Sequence, residues 1–422
     1  VGRGRQFLQY NTTAGDSIAD CKTASEFSGF FVTPARGSMP AMLWIAAAGV
    51  LPLGVAVPED CQLNGELVAA KCVCDKGWKG PSCGDLDLES EPTISYGYGS
   101  PADPTTSSWG GGPPAYDPLT GQYHLFVTEL AGHCGMGVWA RMSQAAHAVS
   151  HSPLGPFKRT GLAIPSESHN IFYAYSPTDE MHLIYHIFSG TSPESCNPYF
   201  KGCTDGTTPR TTGGVHPRHW QPVETCKGEG GTHVHYSKSL EGPWLSAGPL
   251  KTDTTGCLGC GDSNPAPWIF PNGTVLMLGR SKDVTRNPGE KAIFGHNLWL
   301  YRAPSWNATY EWVPGHGVNG TVNIGNGTRA DLTEDPVLWQ GRRGFHALMH
   351  SDDDLTHAWS VDGLGWNFSS VHIGPPPMPG GANERPRVVV DKMGDLSAVI
   401  VAQLVVNGSD ASRTASYRVN SR

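Results

Sequence analysis

The sequence predicts an all-β fold, a five-bladed β-propeller preceded by a small disulfide-stapled module. Three observations carry this prediction. First, Gly 53 and Pro 34 make up about a fifth of the 422 residues, yet 38% of the chain is hydrophobic and 13 residues are Trp. That is the composition of a turn-rich fold with a real interior rather than of a disordered chain. Second, one turn signature recurs: "SHSPLGPF" (150–157), "SKSLEGPW" (237–244) and "SVDGLGW" (360–366), with "APSWNATYEW" (303–312) as a looser copy. Third, each turn follows a hairpin of alternating strands, and each hairpin follows a polar opening. A β-sandwich with coincidental turns is the alternative; the constant offset of turn from hairpin favours the propeller.

Taken in order, residues 1–38 precede Met39 and are set aside as a doubtful or disordered upstream segment. Residues 39–56 read as a signal peptide: Arg36 stands before an apolar run from Ala41 to Leu53, and Gly54-Val55-Ala56 resembles a cleavage site. A membrane anchor is the alternative, but the run is short and contains Pro52. No membrane association is expected after cleavage. Eleven Cys are present, ten of them beyond Met39, an even number that suits an oxidising compartment. Asn272, Asn307, Asn319, Asn326, Asn367 and Asn407 each open an Asn-x-Ser/Thr sequon, which also points to a secreted glycoprotein.

Residues 57–90 contain "CQLNGELVAAKCVCDKGWKGPSCGDLDL". The C-x-C-x8-C spacing around Gly77-Trp78 and Gly80 resembles the C-terminal half of an EGF-like module. Bridges 61–72 and 74–83 are the expected pairing, one of three that four cysteines allow. Zinc is excluded by the lack of histidine and of a second CxxC.

Residues 92–422 form the propeller. Its five openings are Trp109-Gly110-Gly111-Gly112, His169-Asn170, Asp262-Ser263-Asn264-Pro265, Glu334-Asp335-Pro336 and Glu384-Arg385-Pro386-Arg387. Proline and unpaired acid are poor strand residues. They are expected at the axial mouth, where each innermost strand begins and backbone need not join a full ladder. That prediction pools Asp262, Glu334, Asp335, Glu384, Arg385 and His169 in one cavity. Several carboxylates beside an arginine favour split pKa values, the equipment for glycosidic bond cleavage. Trp109, Trp268, Trp299, Trp339 and Tyr173 offer flat faces for sugar rings, although core packing accounts for most of them.

On these motifs the chain from about Trp109 onward resembles the five-bladed propeller glycoside hydrolases: the family-43 arabinanases and xylosidases and the related invertases and levansucrases. The resemblance rests on "DSNPAPWIFPNGTVLML" and "EDPVLWQGRRGFHALMH". It implies Glu334 as general acid and Asp262 as the residue that tunes it. It also implies a base Asp on the first blade, where this chain has "WGGGPPAYDP". Asp103, in "PADP", is the nearest substitute, with Glu384 and His169 as others. Trp109, His169, Asn170, Asp335, His350, Glu384 and Arg385 are the expected substrate-binding residues. Two classes stay open: a working glycosidase with an unusual base, and a carbohydrate-binding propeller without hydrolysis and with an adhesive or matrix role.

A formal net charge of -8 without basic clusters excludes nucleic acid as partner. The expected partner is a carbohydrate, and a monomer is expected. No cofactor is expected, apart from a structural calcium that some relatives hold in the channel. His233 with His235, and His346 with His350, share strand faces; hydrogen bonding within the propeller is the favoured reading over metal. Cys257-Leu-Gly-Cys260 reads as half of a disulfide rather than a redox pair. Cys196, Cys203 and Cys226 lie in a long Pro/Gly-rich insertion, and Cys134 has no obvious partner.

Overall fold

The computed structural model describes residues 61–136, 139–165, 167–188, 231–252, 264–281, 297–313, 321–322, 334–351, 354–373, 383–405 and 411–421. The upstream segment, the signal peptide, Asp262, the Cys196–Cys226 insertion and Cys257 with Cys260 lie outside them.

Five antiparallel sheets follow one another along the chain, each led by the predicted opening. Blade one runs Ser108–Gly111, Gln122–Leu130, Ser143–Ser150, Lys158–Ile164, with Ala115–Asp117 also pairing its second strand. Blade two runs His169–Ser176, Met181–Phe188, Gly231–Ser237, Leu245–Pro249. Blade three runs Ala266–Ile269, Val275–Ser281, Asn297–Ala303, Glu311–Trp312, with Thr321–Val322 pairing its third strand. Blade four runs Glu334–Gln340, Phe345–Ser351, Asp354–Ser360, Asn367–Val371. Blade five takes three strands from the C-terminal end, Asn383–Val390, Leu396–Leu404 and Ser412–Arg418. Its outer strand is Thr93–Gly97, from the beginning of the domain. This pairing closes the ring and leaves no open edge between the last blade and the first.

Burial follows from position. Second strands are sandwiched between neighbouring blades, so Gln122–Leu130 and Leu396–Leu404 are buried almost throughout. Outer strands face water, so Lys158–Ile164 and Leu245–Pro249 are largely exposed.

The recurring turn has a physical cause. Its serine hydroxyl accepts a backbone N–H two or three residues on: Ser150 from Ser152 at 3.1 Å, Ser237 from Ser239 at 3.1 Å and Ser360 from Gly363 at 2.9 Å. Gly155, Gly242 and Gly363 take φ of 83°, 88° and 76° in the left-handed region. The aromatic that follows packs inward: Phe157 is fully buried, and Trp244 meets Phe126 edge-on.

The N-terminal segment is stapled by Cys61–Cys72 and Cys74–Cys83, as expected. It packs on blades four and five. Trp78, 3% exposed, lies 4.5 Å from the His357 ring. Arg343 pairs with Asp75, and Asn420 donates to Asp87 at 2.9 Å. Cys134, for which the sequence offered no partner, is disulfide-bonded.

Candidate active site

The innermost strands open with a shared distortion. One residue of every opening takes a positive φ: Gly110 74°, Asn170 51°, Asn264 42°, Asp335 53° and Arg385 53°. Four of the openings also carry a register shift, between Ser108/Gly111, His169/Phe172, Glu334/Val337 and Glu384/Arg387. A bulge leaves residues outside the ladder, which is why Pro336 and Pro386 are tolerated.

The distortion brings these residues together. Asn170 Nδ2 donates to Asn264 Oδ1 at 2.6 Å and to Asp335 Oδ1 at 2.8 Å. Arg385 Nε donates to Asp335 Oδ2 at 3.3 Å. Gly110 completes the circle: a Cβ there would stand 3.2 Å from Arg385 Cβ. Arg387, 1% exposed, braces the ring. It donates to Asn170 Oδ1 at 2.6 Å and to the carbonyls of Pro336 and Pro386 at 3.2 and 2.8 Å, and its guanidinium lies 4.7 Å from the Phe172 ring.

The first residues of two openings form the reactive cluster. Glu334 pairs in register with His350, whose Nδ1 lies 3.4 Å from Glu334 Oε1. Glu334, Asp335, His350 and Glu384 each bring one oxygen or nitrogen to within 4.8 Å of the others. Burial pushes the Glu384 carboxyl up to about 7; Glu334 and Asp335 add to this, while His350 and Arg385 oppose it. Burial alone would lower His350, but Glu384, Glu334 and Asp335 outweigh it and push the imidazole up to about 9. The cluster therefore holds a carboxylic proton and an imidazolium side by side at neutral pH.

The other predicted residues fall into three groups. His169 is buried, bonded to Ser143 Oγ at 2.7 Å and stacked under Trp139 at 4.3 Å; burial, reinforced by Arg385, holds it neutral. Trp109 is 3% exposed and meets Arg385 through its carbonyl at 3.5 Å. Asp103 caps its own loop. Its oxygens accept from Thr105 N at 3.1 Å and Thr106 Oγ1 at 2.8 Å, and among the described residues it is not one of the groups gathered around Glu334. Asn264 and Arg387 escaped the sequence reading as site residues. The signal for Asn264 was present: Asn264-Pro265, Asp335-Pro336 and Arg385-Pro386 align.

Further along the inner strands the axis turns apolar. Phe172, Tyr173, Trp268, Trp339 and Val388 line a cavity of about 210 Å³. Three of the aromatic faces proposed from sequence lie here rather than in the acidic cluster.

No protein-family model matches the sequence, and no curated protein matches it. Among solved structures it is similar to Zg3597, a family 117 glycoside hydrolase from the marine bacterium Zobellia galactanivorans. The two share 14% identity over 79% of this chain and 91% of that one, with a TM-score of 0.51. The structure of BT0996 in its RGII complex matches at 10% identity over 79% and 93%, with a TM-score of 0.50. The RS223 beta-xylosidase matches at 10% over 79% and 96%, with a TM-score of 0.49. At these identities the first two likenesses establish the fold alone: this chain is a five-bladed propeller.

Proposed function

We propose that this protein is a secreted glycoside hydrolase that cleaves a glycosidic bond in a poly- or oligosaccharide, with Glu334 and Glu384 as a proton-sharing acid pair. The observation that carries the reading is their convergence with His350 at the axial mouth, where Glu384 is held at about 7. A carboxyl with such a pKa still carries a proton in about half of the molecules at neutral pH, and it stands beside Glu334, with which it can share that proton. Glu334 is the donor and Glu384 the group that tunes it.

A separation of 4.8 Å or less is too short for a water between the carboxyls, since inverting pairs stand roughly 6.5–9.5 Å apart. In an inverting mechanism the group that activates water therefore lies outside this pair. Asp262, two residues before Asn264 in the chain, is the carboxylate the sequence offers at the blade-three opening. The chemistry needs only side-chain acids. Export forms part of the same proposal, supported by the disulfides and by Asn272, Asn307 and Asn367, three sequon residues that are exposed. So does the EGF-like assignment of the stapled segment, as a spacer rather than a catalytic element.

A second reading is a carbohydrate-binding propeller without hydrolysis. The blade-one opening favours it: Trp109-Gly110 stands where a carboxylate would complete the set, and Arg385 occupies the space beside Gly110. Release of reducing ends from arabinan, xylan, fructan and sulfated galactans separates the two. Hydrolysis that is lost in Glu334→Gln with ligand binding intact supports the enzyme; hydrolysis unchanged by Glu334→Gln removes the assigned role.

A further inference from the structure

A second cluster stands apart from the axial one, at the junction of blades one and two. His124 lies on the second strand of blade one and His147 on the third, while Glu241 comes from the turn before Leu245–Pro249 in blade two. The histidines are 1% and 5% exposed. His124 Nδ1 lies 2.8 Å from His147 Nε2.

The outward nitrogens decide what fills that gap. The Thr160 hydroxyl donates to the His147 carbonyl at 3.1 Å, so its 3.0 Å contact with His147 Nδ1 is one it accepts. His147 therefore carries its proton on Nδ1 and turns a bare Nε2 inward. His124 Nε2 is buried without a hydrogen-bond partner and faces Asp117 Oδ2 at 4.0 Å. A bare nitrogen there would set a buried lone pair against a carboxylate, whereas an N–H would point favourably at it. With Nε2 protonated, two bare nitrogens face each other across the gap, and only a shared cation satisfies both. Glu241 brings the counter-charge, its oxygens 3.8 Å from His124 Nδ1 and 3.6 Å from His147 Nδ1.

We infer that His124 Nδ1, His147 Nε2 and Glu241 form a site for a borderline divalent transition-metal ion such as Zn2+. Thr160 and Asp117 orient the two rings from behind, and the fourth position faces solvent. Around a tetrahedral ion the donors stand roughly 3.3 Å apart, so the two nitrogens, 2.8 Å apart, must open, and the Glu241 carboxylate, 3.6 Å from His147 Nδ1, must swing toward Nε2. Because Glu241 belongs to the next blade, the ion clips blade two to blade one.

Blade four supplies an internal comparison. His346 Nδ1 and His357 Nε2 sit on the corresponding strands at 3.1 Å, but Trp78 and Trp339 cover them, and among the described residues no carboxylate joins them. That pair is a hydrogen bond between strands; the carboxylates are what set the blade-one pair apart.

The test uses the full chain stripped with EDTA and titrated with Zn2+ alone, by calorimetry and thermal melting. The wild type is expected to bind Zn2+ saturably and to melt several degrees higher with it. Glu241→Gln, at a side chain that is 66% exposed and harmless to folding, should bind one ion fewer or bind at least tenfold more weakly, and lose the gain in Tm. Glu384→Gln should bind like the wild type, which keeps this site distinct from the axial cluster. Failure of the wild type to bind saturably, or binding by Glu241→Gln equal to wild type, overturns the assignment. So does loss of binding in Glu384→Gln alone.

Discussion

Glu384 and His350 illustrate what a few ångströms of burial do to ordinary side chains. Each has its pKa displaced upward, and the consequences for pH share a sign. Glu384 keeps its proton in the folded state up to about 7, whereas the unfolded chain releases it near 4.5. The folded state thus loses relative stability as pH rises through that window. His350 is held protonated to about 9 against an ordinary 6.5, so its stabilising contribution is complete below 6.5 and disappears as pH climbs through 9. Urea midpoints should fall between pH 7 and 9, above the range in which the buried neutral histidines titrate, and the stability of wild type relative to Glu384→Gln should decline as pH rises from 4.5 to 7. If hydrolysis is measurable, its rate should decline on an alkaline limb near 7, and that limb should move or vanish in Glu384→Gln. A limb that stays in place would assign the proton to another group. At the same scale, Arg387 holds three acceptors at once without exposure to water. This explains how a ring containing a carboxylate can close without solvent.

At the scale of the element, the bulged opening is the unit that builds the site. A strand with regular pleat would alternate its side chains between faces; a left-handed residue in every opening, joined by a register shift in four of them, turns that residue toward its counterparts. Blade one uses glycine there because Arg385 fills the space a Cβ would need, and because φ is 74°. Gly110→Ala should destabilise by about 1–3 kcal/mol through the strained φ and the displaced guanidinium. Chemical denaturation measures the loss, and a variant as stable as wild type would show that the ring tolerates a wider Arg385. Much of this was legible in sequence. Pro following Asn264, Asp335 and Arg385 marked the openings, and serine, glycine and an aromatic marked the turns. The bulge itself was not legible, because a one-residue register shift depends on which partner strand lies alongside. Asp103 shows the consequence. It was the nearest substitute base although it lies some residues too early in the chain, and Thr105 and Thr106 follow it closely enough to capture its carboxylate in a local cap.

At the scale of the molecule, ring closure depends on one pairing across most of the chain, Thr93–Gly97 against Ser412–Arg418. The stapled segment adds a patch over blades four and five through Trp78, Asp75 and Asp87. A chain starting at Tyr98 lacks the closing strand and should lose cooperative unfolding. A chain starting at Glu91 keeps that strand and should remain a cooperative propeller with a lower Tm, because the His346–His357 pair loses its cover. Equal melting behaviour of the two chains would mean that closure does not depend on this strand.

The amino-acid order by itself determined the repeat: the period of hairpins and turns and the polar residues that open each inner strand. Those features are local, set by turn chemistry and alternation within a few residues. Only the tertiary structure decided which side chains share a pocket. Glu334 and Glu384 come from different blades, and Asn170 and Asp335 are 165 positions apart. Their meeting depends on the twist of five sheets around one axis and on bulges set by neighbouring strands, neither of which a linear pattern encodes.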